Sequence, residues 1–330
     1  VILKTFVEIL FIILDKSLSL IQKYPALSPN ESNQLYVVLF IFNLLLLLLT
    51  LWLKMKKLKT KIKLPLLNML GMHFQAYVNQ IGCDGKLSES EFDEREVDFT
   101  MLFDKSVGVS KSNNKKICDE IQKKCSSLVG ADSNSKRAYF TGMSPIPYEV
   151  YAGTFLNGSK VNDYLEYDSK NTKKFYELKN RCSIQQKLFG IHTLAKEVSE
   201  NLIETEDLNL IISVSSKITD EDVIQFQSFS NAKLELNEIK DNVIKEKEQL
   251  VELKNKISSL MEEYGKKGFK RIHITAAIPS CLAVEIGKEI TQLGNRLPEI
   301  IVYHYVKTSE KKYPFGLIVN GSDKGNLYHV

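Results

Sequence analysis

The sequence predicts an α/β protein carried on two membrane-spanning helices. Three observations carry that reading. Residues 272–290, IHITAAIPSCLAVEIGKEI, run from a buried-strand pattern through Pro279 into a helix with Leu282, Ala283, Ile286 and Ile290 on one side. Residues 139–153, YFTGMSPIPYEVYAG, repeat the arrangement: Thr141, Pro145 and Gly153 are separated by four and eight residues, as are Thr275, Pro279 and Gly287. Finally, residues 36–53 form an unbroken apolar run.

Taking the chain in order, residues 1–21 are apolar but carry Lys4, Glu8 and Asp15, which share one helical face with Ser19 and Gln22. Acidic residues interrupt the run and no small-residue cleavage site follows, so it does not read as a signal peptide. It is either an interfacial helix lying on the bilayer or a second span whose polar stripe faces other subunits or water. The Lys4–Glu8 spacing and the functional weight of intramembrane charge favour spanning. Residues 36–53, YVVLFIFNLLLLLLTLWL, hold no charge and would extend ~27 Å as a helix, enough for a thin hydrocarbon core. Tyr36 and Trp52 stand at its ends as interface anchors. Asn43 and Thr50 share a face and suit helix–helix contact. Six lysines between 54 and 63 follow at once and place the remainder of the chain in the cytoplasm. The expected membrane segment is thus residues 1–63, with helices at 1–21 and 36–53 and both termini cytoplasmic. Two helices per chain enclose no water path, so a pore requires a homo-oligomer.

Residues 64–96 read as a helical linker, because 66–81 are apolar at helical spacing and 82–96 are polar and turn-rich. The domain proper is expected over 97–330. It has strands at 97–103, 137–142 and 208–215, and helices at 113–128, 144–155, 184–203 and 219–229, with a loop-rich stretch after 156. From 236 to 264 apolar residues alternate three and four apart, with one defect at Glu246. That run is either one long helix on its own sheet or a subunit contact. Lys266, Lys267 and Gly268 end it.

Composition excludes several classes. The five cysteines, at 83, 118, 125, 182 and 281, are odd in number and form no CxxC, which points to a reducing compartment without disulfides. The five histidines do not cluster with them, so no metal site is expected. No GxSxG, HExxH or P-loop occurs, and no nuclease-type acidic cluster stands out, so neither an enzyme nor a cofactor is expected.

In open α/β sheets ligands lie beyond the carboxyl ends of strands. Hydroxyls, backbone N–H groups and lysines there suit phosphates. The candidates are Thr141, Ser144, Ser216, Lys217, Thr275, Ser280 and Lys307, with Tyr148 as a base-stacking ring. Each hydroxyl could equally serve as a local cap, and Tyr148 could equally be core.

Residues 273–287, LPEIIVYHYV at 297–306 and YPFGLIV at 313–319 resemble the C-terminal part of SAVED domains. FTGMSPIPYEVYAGTFL at 140–156 resembles the central segment of the same family. With the apolar N-terminal segment, the chain resembles a two-transmembrane SAVED effector of bacterial cyclic-oligonucleotide-based anti-phage signalling (CBASS). The resemblance implies two fused CARF-like, Rossmann-like units. It also implies a cyclic di- or trinucleotide ligand made by a partner nucleotidyltransferase, and a place in the bacterial inner membrane. The expected output is a pore or membrane disruption. The alternatives are an anchored sensor recruiting a soluble partner, or an anchored ring nuclease.

Overall fold

The computed structural model describes residues 64–70, 92–98, 102, 109–129, 138–157, 161–168, 175–180 and 194–329. Of the segment before them it describes only Ile41, Leu45, Leu48, Leu49 and Trp52, all helical and all exposed. The helices expected at 1–21 and 36–53 otherwise lie outside the described residues, as do Lys4, Glu8, Asp15 and Asn43. Among the described residues no helix is long and apolar enough to cross a membrane.

Residues 63–330 form one compact unit, built as two lobes. The first holds β1 (Leu64–Leu70), β2 (Phe92–Asp98), α1 (Lys111–Val129), β3 (Ala138–Met143), α2 (Ile146–Gly153), β4 (Val161–Tyr167) and β5 (Phe175–Glu177). Its sheet runs β2-β1-β3-β4-β5, parallel except for β5. The second holds β6 (Lys196–Asn201), β7 (Asp207–Ser213), β8 (Ser230–Leu236), α3 (Lys247–Lys266), β9 (Arg271–Ala277), α4 (Ser280–Leu293), β10 (Glu299–His304), β11 (Phe315–Ile318) and β12 (Leu327–Tyr328). Its sheet runs β12-β11-β10-β9-β7-β8-β6, with β10, β9, β7 and β8 parallel and antiparallel strands on both edges.

Several local expectations are corrected. The helical linker at 64–96 contains β1 and β2, so the first sheet begins well before residue 97. LPLLNML is an interior parallel strand, and a short continuous apolar run cannot be told from a helix by periodicity. The loop-rich stretch contains β4 and β5. β4 was hidden by Asp163 and Glu166, which are buried but bonded across to the second lobe. The helix expected at 184–203 gives way, over the described residues, to edge strand β6, which is exposed along most of its length. The helix expected at 219–229 is reduced to a single 3-10 turn at Ile224–Phe226. Its starting bond does form, from Thr219 N to Asp222 Oδ2 at 2.9 Å. β8, SNAKLEL, buries alternate residues and was also unforeseen.

The long apolar seam resolves into two elements. Leu236 closes β8, and α3 begins only after Glu246. The defect in the seam is therefore a helix start: Glu246 forms a capping box with Gln249, whose Oε1 accepts the Glu246 N–H at 3.2 Å. Leu250, Leu253, Ile257, Leu260 and Tyr264 are buried in the core, each worth ~1.5–3 kcal/mol. The seam is thus a lobe-packing face within one chain. Lys267 caps the helix, and Gly268 follows at φ 96°.

One apolar cluster runs through both lobes. A smaller one covers the outer face of the second sheet, with Phe226, Tyr303 and Tyr313 at its centre. His273 is buried beside it, 2.9 Å from the Tyr303 hydroxyl through Nδ1 and 2.9 Å from Asp207 Oδ1 through Nε2. Burial pushes the imidazole below its ordinary value, and the Asp207 bond only partly opposes this. A neutral ring that donates to Asp207 and accepts from Tyr303 satisfies both contacts. Burial works against ionising Asp207, but its bonds to Arg271 at 2.6 and 3.0 Å and to His273 prevail and hold its carboxyl low.

The lobes meet where α2 packs on α4, and each of these helices also lies beside the other lobe's sheet. A methyl at Gly153 would stand 2.2 Å from the carbonyl oxygen of Val284, and one at Gly287 would stand 2.0 Å from that of Val150. The contact is reciprocal, since each valine lies three residues before its own glycine. The repeat seen in the sequence is therefore a pseudo-twofold pair in space. Alanine is the better helix former by about 1 kcal/mol, but overpacking costs ~1–3 kcal/mol. Gly153→Ala and Gly287→Ala should therefore each lower the unfolding free energy by a net of up to about 2 kcal/mol in urea denaturation. An unchanged midpoint would show that the helices do not touch there.

Candidate functional site

The strand ends of the two lobes come together around the crossing. β3 ends at 143 and β9 at 277, and each leads through a proline into the paired helices. Ser144, Pro145 and Ile146 are half-buried, as are Ala277 and Pro279. The Ala277 carbonyl accepts the N–H groups of Val214 (3.0 Å) and Ser215 (2.8 Å), which ties the turn after β7 to the same edge. Ser216, Lys217 and Lys307 are exposed along it. Lys217 lies 3.4 Å from Glu235, at the end of β8. Tyr305 is also exposed, and its hydroxyl donates to Asp222 at 3.2 Å.

The other predicted residues face inward. Tyr148 is fully buried, and its hydroxyl donates to Asn114 Oδ1 at 2.9 Å, so it is core and not a stacking ring. Thr275 is fully buried and donates to Asn209 Oδ1 at 3.1 Å. Thr141 is fully buried, and among the described residues its hydroxyl has no partner. Ser280 donates to the Gly142 carbonyl at 2.7 Å and lies 2.9 Å from Glu149 Oε1.

The α4 N-terminus, whose free N–H groups would suit a phosphate, is instead filled by the protein. Glu166 Oε1 accepts the Cys281 N–H at 2.5 Å. A carboxylate is what a helix N-terminus attracts, and this one comes from β4 of the other lobe. Glu149 bridges the turns: its Oε1 lies 3.1 Å from both Ser144 N and Ser144 Oγ, and contacts Ser280. Neither acid appeared among the sequence candidates. The available signal was Glu149, the one acidic residue in an otherwise apolar first helical turn.

Burial pushes the Glu149 carboxyl up to about 7; the Ser144 N–H holds it back, the charge of Glu166 adds to the rise, and Ser280 opposes it. Burial pushes Glu166 up to about 7 as well, against the bonds to Cys281 and with the charge of Asp241 adding. Below them, Lys288 of α4 reaches into the first lobe. Its Nζ donates to the Val161 carbonyl at 2.5 Å, to the Tyr164 hydroxyl at 2.8 Å and to Glu285 at 2.7 Å. Burial lowers its pKa, with Glu285 opposing. Lys247 pairs with Asp163 across the same boundary. Among the described residues no group of His, Cys, Asp and Glu could hold a metal.

Two α/β sheets joined through a shared pair of helices define a twin-lobed α/β domain. The model of the SAVED family, the SMODS-associated and fused to various effectors sensor domain, matches residues 121–319, and the chain belongs to that family. A solved SAVED/CARF-domain containing receptor, Cap4 of Acinetobacter baumannii with the cyclic trinucleotide 2'3'3'-cAAA, is similar at TM-score 0.53 and 12% identity, over 82% of this chain and 54% of that one. Cap4 of Moraxella osloensis aligns at TM-score 0.45 and 13% identity, over 78% of this chain and 50% of that one. The chain thus spans about half the length of these receptors. No curated protein sequence matches it.

Glu166 carries a pH signature. The unfolded carboxyl titrates near 4.5 and the folded one near 7. Between those values the native state binds more protons, so this contribution to stability falls as pH rises through the window and is gone above it. Measured as wild type minus Glu166→Gln, the unfolding free energy should drop by about 2–3 kcal/mol between pH 4.5 and pH 8. A flat difference would mean that the carboxyl titrates normally.

Proposed function

We propose that the chain is a membrane effector whose SAVED domain senses a cyclic oligonucleotide. The observation that carries the reading is the twin-lobed SAVED architecture, with two βα turns meeting at one sheet edge. Cap4 of this family has been captured with a cyclic trinucleotide, and a ring of phosphodiesters suits an edge carrying hydroxyls from both lobes and cations from the second. Ser144, Ser216, Lys217 and Lys307 are the exposed or half-exposed groups there, and Tyr305 offers a ring face. In this reading the chain is a receptor and not an enzyme.

The apolar run at 36–53 and the lysines after it support a cytoplasmic domain anchored in the inner membrane. Ligand binding to one arrangement of subunits shifts the population toward it. The assembled N-terminal helices then open or disrupt the bilayer, giving anti-phage defence. The cyclic nucleotide comes from a partner nucleotidyltransferase.

Full-length protein in dye-loaded liposomes, mixed with a panel of cyclic di- and trinucleotides, tests the whole chain of steps. One ligand should cause leak and raise the melting temperature. Binding without leak would leave an anchored sensor that acts through a soluble partner, and no binding would end the reading. Lys217→Ala and Lys307→Ala should each weaken the binding ligand about fivefold, as expected for exposed charges worth about 1 kcal/mol.

A further inference from the structure

We infer that Glu149 is a positioning residue of the ligand edge, a neutral acid that clamps the turn of one lobe to the turn of the other and releases it on ionisation. The inference rests on the proposed ligand edge for its importance, but its geometry stands alone.

A serine hydroxyl has one proton to donate. Ser280 Oγ lies 2.7 Å from the Gly142 carbonyl oxygen, which can only accept. That contact takes the serine's proton. Ser280 Oγ also lies 2.9 Å from Glu149 Oε1. Two acceptors facing one donor leave one contact unsatisfied unless the carboxyl supplies a proton of its own. As a neutral acid Glu149 donates the Oε1 proton to Ser280 Oγ while a lone pair of the same oxygen accepts from Ser144 N–H at 3.1 Å, so both turns are held by one atom. Ionised, it loses the donated bond and leaves a charge in a site about 1% exposed.

The surroundings favour the neutral form. From β4, Glu166 faces Glu149 with like charge. α4 presents Cys281, whose thiol burial holds protonated, and deeper in the boundary the Lys288–Glu285 pair, which is turned to Tyr164 and Val161. α1, on the other side of α2, brings Cys118 and Asp119. β10 ends on His304, packed against Phe315. The main influences on Glu149 are burial, Ser144, Glu166 and Ser280, and none of them is a cation. Its carboxyl therefore titrates near neutrality, where cellular pH can move it.

Ligand binding then carries a proton requirement. A polyanionic ring approaches the half-buried turns at 144–146 and 277–279 only a few atoms from this group, and its charge disfavours an ionised clamp.

Hydrogen exchange on the full chain in detergent, corrected for the intrinsic pH dependence, reads the clamp directly. In wild type, protection of the turns at 141–146 and 278–282 should fall about tenfold from pH 6 to pH 8. Glu149→Gln cannot ionise and can keep only one of the two contacts made by Oε1, so its protection should be intermediate and equal at both pH values, and Glu149→Ala should lack it at both. Equal wild-type protection at pH 6 and pH 8, or Glu149→Gln as open as Glu149→Ala, would overturn the clamp. Where a cyclic nucleotide binds, its Kd should rise about tenfold over the same range in wild type and stay level in Glu149→Gln. A level wild-type Kd would overturn the proton requirement. If no cyclic nucleotide binds at any pH, the ligand reading fails, and the exchange comparison still decides the clamp.

Discussion

The backbone contact between α2 and α4 is the constraint on which the rest depends. Two sheets can share one core only if the helices between them come close enough for each to reach the opposite sheet. Gly153 and Gly287 allow that approach, because carbonyl oxygens occupy the space where side chains would be. The interleaving follows. Lys288 of the second lobe can reach the Val161 carbonyl of the first, and Glu166 of the first can reach the Cys281 N–H of the second. The lobes are therefore joined by polar bonds inside an apolar cluster. Each bond fixes register, since a misplaced partner would leave a buried donor or acceptor unmade.

This boundary also explains why the edge has the chemistry it has. Two carboxyl groups from one lobe sit at the helix start of the other. Glu166 accepts the Cys281 N–H and Glu149 meets the Ser280 hydroxyl, so the cradle itself is filled. What remains accessible to solvent is the rim: the half-buried turns, the loop carrying Ser216 and Lys217, and Lys307.

Much of the architecture was legible in the sequence, and its failures share a cause. The repeated Thr–Pro–Gly spacing revealed two related elements, and the structure shows them in mutual contact. Strands β3, β7 and β9 and helices α1 and α4 carry strong periodic patterns and lie close to where the patterns placed them. The misreadings fall where tertiary context overrides local pattern. LPLLNML is apolar without period, and its place between two parallel strands, β2 and β3, is set by sequence-distant pairing. VNDYLEY looks like a loop because Asp163 and Glu166 find partners far along the chain, in Lys247 and Cys281. The same blindness affected the site. Exposed Ser216, Lys217 and Lys307 could be inferred from strand ends, but Tyr148, Thr275 and Ser280 turn inward, and Glu149 drew no notice because its partners come from both lobes.

The duplicated scaffold is chemically unequal. Where α2 carries Glu149, the matching place on α4 is Ala283, counting back from the paired glycines. A true homodimer must display every substitution twice, while a fused pair can alter one half and keep the other. The pseudo-twofold is therefore broken at its centre: one half holds a hydrogen-bonding carboxyl where the other holds a methyl, so the two lobes cannot exchange roles.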